Sequence, residues 1–219
     1  MRFMKKKRVI RDINGEADVS TTIYRRGTAM TRLLEGVVPY PQEEAKTYIE
    51  KGWWRGMTLG DYLDQAADVH PGKEAFIDRT SRYTYAQARE KVDRLAVGLI
   101  KLGIKPLDRV LVQLPNWNEF VFAYFACQKI GAITVLLIER YRPFEIDRLL
   151  KITGATAWIV PKATHKVDFT PIIADVLTDH PEIRNVITVR GKIDRPGFAT
   201  LEELIEENPL TGENLHRLT

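Results

Sequence analysis

The sequence predicts an α/β fold: a mainly parallel β-sheet flanked by helices. Two observations predict it. From Arg109 onward, short apolar runs rich in Val and Ile alternate with helical patterns of about three turns, and strands separated by such helices pair in parallel through right-handed crossovers. Most of the helical patterns are closed by Gly or Pro, as at Gly103, Gly131, Gly154 and Asn208-Pro209, residues that end helices by adopting a left-handed conformation or by lacking an N–H. Hydrophobic residues are 44% of the 219 positions and charged residues 28%, a balance that supports a soluble folded core and argues against disorder.

The elements follow in order. Residues 1–35 are polar, basic and weakly patterned, and are expected to form an extension with little fixed structure; residues 36–219 form the α/β body. Arg2, Lys5, Lys6, Lys7, Arg8 and Arg11 precede the first acid, Asp12, and carry much of the formal charge of +4 and the pI near 9.1. Pro39 and Pro41 hold Gly36–Pro41 extended. A short helix is predicted from Glu43 to Lys51. Trp53 and Trp54 follow Gly52, and adjacent tryptophans there are expected to pin a loop onto the core. Thr58-Leu-Gly-Asp61 has capping-box spacing and opens a helix, with Leu59, Tyr62, Leu63 and Ala66 as its apolar face. Residues 75–78 and 83–85 read as short strands. Thr84 with Gln87 is a second capping box, opening the clearest helix, whose Ala88, Val92, Leu95, Ala96, Leu99 and Leu102 share one side. A strand is predicted at 109–114. Asn116 with Glu119 is expected to cap a helix to about Ile130. The unbroken apolar run 133–138 suits a strand buried on both faces. Pro143 starts a helix through Ile152, residues 157–160 form a strand, Thr170-Pro171 starts a helix to about Asp179, and 186–189 is the last strand. Thr200 with Glu203 caps a final short helix.

Several function classes drop out. Lys and Arg in the body are interleaved with Asp and Glu, so no nucleic-acid face is expected; the basic run at the start reads as a solvated tail. No apolar stretch approaches the roughly 20 residues of a membrane span, and the N-terminus lacks the apolar region of a signal peptide, so the cytoplasm is the default expectation. The single cysteine, Cys127, excludes an internal disulfide and lies in an apolar helical run, where a buried structural thiol is the expected reading. There is no Gly-x-Gly-x-x-Gly and no Gly-x-Ser-x-Gly. Gly98–Lys105 superficially resembles a phosphate-binding loop, but it lacks the Gly-Lys-Ser/Thr ending and begins inside a strong helix. The histidines, 70, 165, 180 and 216, have no metal-ligand grouping. His70 and His180 each precede a proline at a helix end, where a dipole contact or exposure is expected. One polar cluster stands out: Arg140-Tyr-Arg142 follows the strand 133–138, at the end where α/β sheets bind ligands. Arg140 and Arg142 are the candidate ligand-binding residues, able to hold a phosphate or carboxylate or, alternatively, to pair with Glu139, Glu145 or Asp147. No catalytic or metal-binding residue is nominated.

The order of segments resembles a known superfamily. Gly52–Leu63 resembles the opening of 2,3-dihydroxybenzoate–AMP ligases, with Gly36–Pro41 similar to their start. Ala75–Asp78, Tyr83–Tyr85, the helix ending Gly98-Leu-Ile-Lys-Leu-Gly103, Asp108–Asn116, Lys129–Ala132 and Tyr141–Ile146 are similar to adenylate-forming ligases as a whole. Glu139 departs from the pattern, where a proline or small residue is frequent. The resemblance implies activation of an aryl or acyl carboxylic acid with ATP and Mg2+ to an acyl-adenylate and pyrophosphate, then transfer to the thiol of coenzyme A or a carrier protein. It also implies a glycine-rich loop, a metal-binding acid, a ribose-binding aspartate and a late lysine, none of which is found in these 219 residues. The expectation is an N-terminal subdomain truncated before the glycine-rich ATP loop, inactive and binding no cofactor alone, whose partners are the remainder of the ligase or a second copy of itself. The alternatives are a non-catalytic binding or regulatory module derived from such a ligase, or an unrelated Rossmann-like binder.

Overall fold

A computed structural model of the chain describes residues 37–212 and Asn214; the basic run expected to be an extension lies outside the described residues. The chain divides into two units, one up to Met57 and one from Thr58 to Leu218. In the first, helix α1 (Gln42–Glu50) follows Pro41. Gly52, at φ +71°, turns the chain after it. Trp53 departs from expectation. Trp53 is 64% exposed, and Trp53 and Trp54 build an aromatic cluster with Tyr40 and Tyr48, at centroid separations of 5.1–5.7 Å. The ring faces of both tryptophans pack on other rings.

The second unit contains α2 (Leu59–Val69), β1 (Glu74–Ile77), β2 (Arg82–Thr84), α3 (Tyr85–Lys101), β3 (Arg109–Val112), α4 (Asn118–Ile130), β4 (Ile133–Leu136), α5 (Pro143–Thr153), β5 (Ala157–Pro161), α6 (Thr170–Asp179), β6 (Asn185–Val189), β7 (Phe198–Thr200) and α7 (Leu201–Glu206). β1 and β2 form an antiparallel pair. The other five strands form one sheet in the order β4-β3-β5-β6-β7, parallel throughout. Side chains alternate across it, as a period of two requires. Val110, Val112, Ile159 and Ile187 pack against α2, α3, α4 and α7; Leu111, Trp158, Val160 and Val186 pack against α5 and α6. The α/β class with a mainly parallel, helix-flanked sheet is thus the observed one.

Three of the four caps form as read: the hydroxyls of Thr58, Thr84 and Thr200 accept from the N–H groups of Asp61, Gln87 and Glu203, whose side chains reach back. Gly98 shows why its glycine-rich run is no phosphate loop. A Cβ there would meet the Leu204 backbone oxygen at 3.1 Å and Asn208 at 3.2 Å; the glycine lets α3 pack closely on α7. Cys127 is fully buried, and burial pushes its thiol up to about 12.

Some expectations are corrected. The run 133–138 does not form a doubly buried strand. It begins the edge strand β4, with Leu136 52% and Ile138 58% exposed. A long apolar run signals a strand but not its place in the sheet. Strand β6 is not the last, because β7 pairs beside it. The buried face of α2 is Gly60, Leu63 and Ala67, while Leu59 and Tyr62 are exposed.

That rotation of α2 follows from Lys129 of α4. A Cβ on Gly60 would lie 2.8 Å from Lys129 Cγ, so the glycine opens the path for the lysine stem. Lys129, 7% exposed, reaches Asp64 Oδ1 of α2 at 2.5 Å and the carboxylate of Asp93 of α3. Burial raises the Asp93 carboxyl, and Lys129 opposes the rise. One ammonium thus ties three helices. Lys129→Ala leaves both aspartates facing each other without a hydrogen-bonded counter-charge, and is expected to lower stability by about 3–5 kcal/mol, measured by urea denaturation; a loss under about 1 kcal/mol would show that the tie is solvated.

Candidate functional site

The strand order creates a switch point. From β3 the chain moves outward to β4, returns past β3 to β5, then continues to β6 and β7. The loops leaving β3 and β5 at their carboxyl ends therefore diverge, and crevices of this kind are where open α/β sheets take ligands. The turn after β4 borders it.

That turn is held by buried hydrogen bonds. Gln113, fully buried at the end of β3, donates through Nε2 to the carbonyls of Ile138 (3.2 Å) and Tyr141 (3.0 Å). Arg142 Nη1 donates to the carbonyls of Glu139 (3.0 Å) and Tyr141 (2.8 Å), and its guanidinium lies 5.7 Å from the Phe169 ring centroid. The Arg142 N–H donates to Glu145 Oε2 at 2.9 Å, closing the first turn of α5. The two candidate arginines thus sit on one turn in different situations. Arg142 is half-buried and serves backbone carbonyls. Arg140 is exposed, with no hydrogen bond or ion pair among the described residues. The alternative side-chain pairings with Glu139, Glu145 and Asp147 are not the ones formed: Glu139 contributes its carbonyl, Glu145 takes a backbone N–H, and Asp147 pairs with Lys151 and His180.

After β5, Lys162 pairs with Asp168 at 3.1 Å. Asp168 accepts from the N–H (2.9 Å) and hydroxyl (2.7 Å) of Thr170, which with Lys162 hold its carboxyl down at about 2. Among the described residues, no group of three His, Cys, Asp or Glu side chains is arranged to hold a metal ion.

The carboxyl end also contains a cluster that the sequence did not reveal. Arg190, just past β6, has φ +57°. Its guanidinium donates through Nε and Nη2 to Glu119, both at 2.9 Å, and through Nη2 to Asp78 Oδ2 at 2.8 Å. It stacks 4.0 Å from the Trp117 ring centroid, and the Arg190 N–H donates to Glu202 Oε1 at 3.0 Å. Asp78 also accepts from the N–H groups of Thr80 and Ser81 (both 2.8 Å) and of Asn118 (3.1 Å). Burial pushes the Asp78 carboxyl up, but these donors outweigh it and hold it far below the usual carboxylate range. Asp78 therefore caps α4 from a distance. The expected Asn116 cap is not used: the helix begins at Asn118 and its N-cap is Trp117. Within the sequence, only the turn-forming Asp78-Arg-Thr-Ser81 run hints at this cluster.

The two histidines also separate. His70 is exposed. His180, expected to be exposed or touching a helix dipole, does cap the C-terminus of α6 but is buried, with Nδ1 2.7 Å from Glu182 Oε1 and Nε2 3.0 Å from Asp147 Oδ1. Arg190→Ala is expected to cost about 2–3 kcal/mol, because Glu119 and Asp78 lose charge-assisted bonds, and Arg190→Lys is expected to recover little, lacking the two-pronged geometry. Urea denaturation of both variants checks this; full rescue by lysine would contradict the fork.

Comparison with known proteins fits this architecture. The AMP-binding enzyme family matches residues 63–215. The 2,3-dihydroxybenzoate-AMP ligase of Bacillus subtilis is 35% identical, covering 80% of this chain and 32% of the relative. The salicyl-AMP ligase / salicyl-S-ArCP synthetase of Mycobacterium tuberculosis is 36% identical, covering 70% and 28%. The Mycobacterium smegmatis MbtA apo structure superimposes with a TM-score of 0.70 at 33% identity, covering 80% of this chain and 32% of that one. The chain spans about a third of the length of these relatives. With the family matched across most of the helix-flanked sheet, the chain belongs to the AMP-binding enzymes, related to several acyl- and aryl-acid–AMP ligases.

Proposed function

We propose that this chain supplies the N-terminal part of an AMP-dependent ligase that activates a 2,3-dihydroxybenzoate-like aryl acid, or an acyl acid. A carboxylate oxygen of the acid attacks the α-phosphorus of ATP, an acyl–phosphate bond forms, and the bond to pyrophosphate breaks. The thiol of coenzyme A or of a carrier protein then displaces AMP. The observation that carries this reading is the family match over residues 63–215, and relatives that act on aryl acids by name support the aryl branch.

In this reading the chain's own contribution is scaffold and positioning. Arg140 is the cation free to face a phosphate or carboxylate; Arg142 holds the turn that presents it. ATP and Mg2+ belong to the longer protein, and no step is assigned to a metal ligand within the described residues. The remainder of the ligase is the proposed partner, with self-association of the isolated chain as its substitute. In support, β4 has an open edge, and Leu136, Ile138, Phe144 and Ile152 are all more than half exposed; exposed apolar surface of this kind invites contact.

ATP–pyrophosphate exchange with 2,3-dihydroxybenzoate, salicylate and a short fatty acid tests the proposal. The chain alone should give no exchange. Combined with a polypeptide carrying the rest of the ligase, it should exchange with an aryl acid, and Arg140→Ala should weaken ATP or acid affinity about tenfold, a change worth about 1.4 kcal/mol. Exchange by the chain alone would overturn the scaffold reading, and none from the combination with any acid would overturn the ligase reading. Light scattering of the isolated chain should give a mass above 25.1 kDa that falls on dilution; a monomer at high concentration would remove self-association.

A further inference from the structure

His180 is buried at the end of α6, and both of its ring nitrogens face carboxylate oxygens: Glu182 Oε1 at 2.7 Å and Asp147 Oδ1 at 3.0 Å. A carboxylate only accepts, and a neutral imidazole has one N–H. Both contacts are hydrogen bonds only when both nitrogens carry protons. The geometry is therefore that of an imidazolium bridging two anions. The neutral ring would turn a lone pair toward one carboxylate.

We propose that His180 is a proton-operated strap that fastens α5 to the end of α6 and so sets the seating of the Arg140–Arg142 turn from which α5 springs. Asp147 lies in the second turn of α5, and the Arg142 carbonyl accepts from the Ile146 N–H next to it at 3.0 Å. The strap and the turn thus act on the same stretch of helix. The regulatory part of this inference rests on reading that turn as ligand-facing; the strap itself does not.

The charged groups around the ring are few. From α5, Asp147 faces Nε2, and Lys151, a turn further on, holds Asp147 at 2.8 Å. From the segment after α6, Glu182 faces Nδ1. The acids of α6 itself, Asp175 and Asp179, are exposed and not bonded to the ring. Burial lowers the affinity of the ring for its proton, but the bonds to Glu182 and then Asp147 outweigh it, so the folded protein holds the proton above the ordinary histidine value of 6.5. The sign follows. A group whose folded value is raised stabilises fully below its unfolded value, and the contribution is lost as pH rises through the folded value. The strap is closed in mild acid and opens as pH rises through the raised value of the ring.

The test uses the full chain. Long-range nitrogen–proton NMR of the imidazole at pH 6, below the ordinary histidine value, should show both nitrogens protonated. As pH is raised through the ring's titration, amide hydrogen exchange in α5, corrected for intrinsic rate and referenced to α3, should accelerate severalfold. His180→Gln should remove that step, and Asp147→Asn should lower the pH at which it occurs. A neutral ring at pH 6, or α5 exchange that does not respond when the ring titrates, would overturn the strap. A working strap together with an Arg140→Ala ligase of unchanged affinity would overturn only the link to ligand binding.

Discussion

The constraint on which the rest of this structure depends is the two-faced burial of β3 and β5. Their side chains are apolar on both sides of the sheet: Val110 and Ile159 face one layer of helices, and Leu111 and Trp158 the other. Neither strand can face water, so helices must cover both surfaces. With right-handed connections, a chain covers both faces only by reversing its direction of winding. Here the reversal falls at β3, with β4 laid on one side and β5 on the other. The crevice at the carboxyl ends is a consequence of burying those strands, and so is the presence of two loops able to border a ligand.

A divergent pair of loops needs fastening. Arg190 fastens one of them, the loop leaving β3, by joining three separate segments at once: the β1–β2 turn through Asp78, the start of α4 through Trp117 and Glu119, and α7 through the Glu202 contact to its backbone. Its backbone stands at φ +57°, a conformation that costs a non-glycine residue roughly 1 kcal/mol or more. Three charge-assisted bonds offset such a cost. The opposite end of the sheet uses an arginine in a similar way, where Arg109 donates to the carbonyls of Thr153 and Gly154 and closes the C-terminus of α5.

What was legible in the sequence was local. Thr58 with Asp61, Thr84 with Gln87, and Thr200 with Glu203 announce helix starts because a capping box is complete within four residues. Gly131 and Gly154 announce helix ends because each takes the left-handed conformation there. The order of strands and helices follows from such signals, and with it the fold class. What was not legible depends on distance along the chain. The partners of Arg190 lie 71 and 112 residues away, so no window of sequence contains them. Strand β7 has only three residues and is stabilised by pairing with β6 rather than by its own pattern. Asp78 caps α4 across 40 residues, which is why the nearby Asn116 looked like the cap.

The two arginines after β4 show how the same division governs function. Sequence placed both at the carboxyl end of the sheet, where open α/β sheets take ligands, and nothing local distinguishes them. Hydrogen-bond accounting does. The carbonyls of Glu139 and Tyr141 have no ladder partner past the edge strand, and a turn carrying unpaired carbonyls near a buried core needs donors. Arg142 and Gln113 supply them, and Tyr141 takes one bond from each. A guanidinium so engaged would have to surrender those bonds to meet a phosphate, leaving carbonyls unsatisfied at about 1–3 kcal/mol apiece. Arg140 surrenders nothing. The proposal of Arg140 rather than Arg142 as the ligand-facing cation therefore comes from what its neighbour is already holding, and Glu139 enters through its backbone rather than its charge.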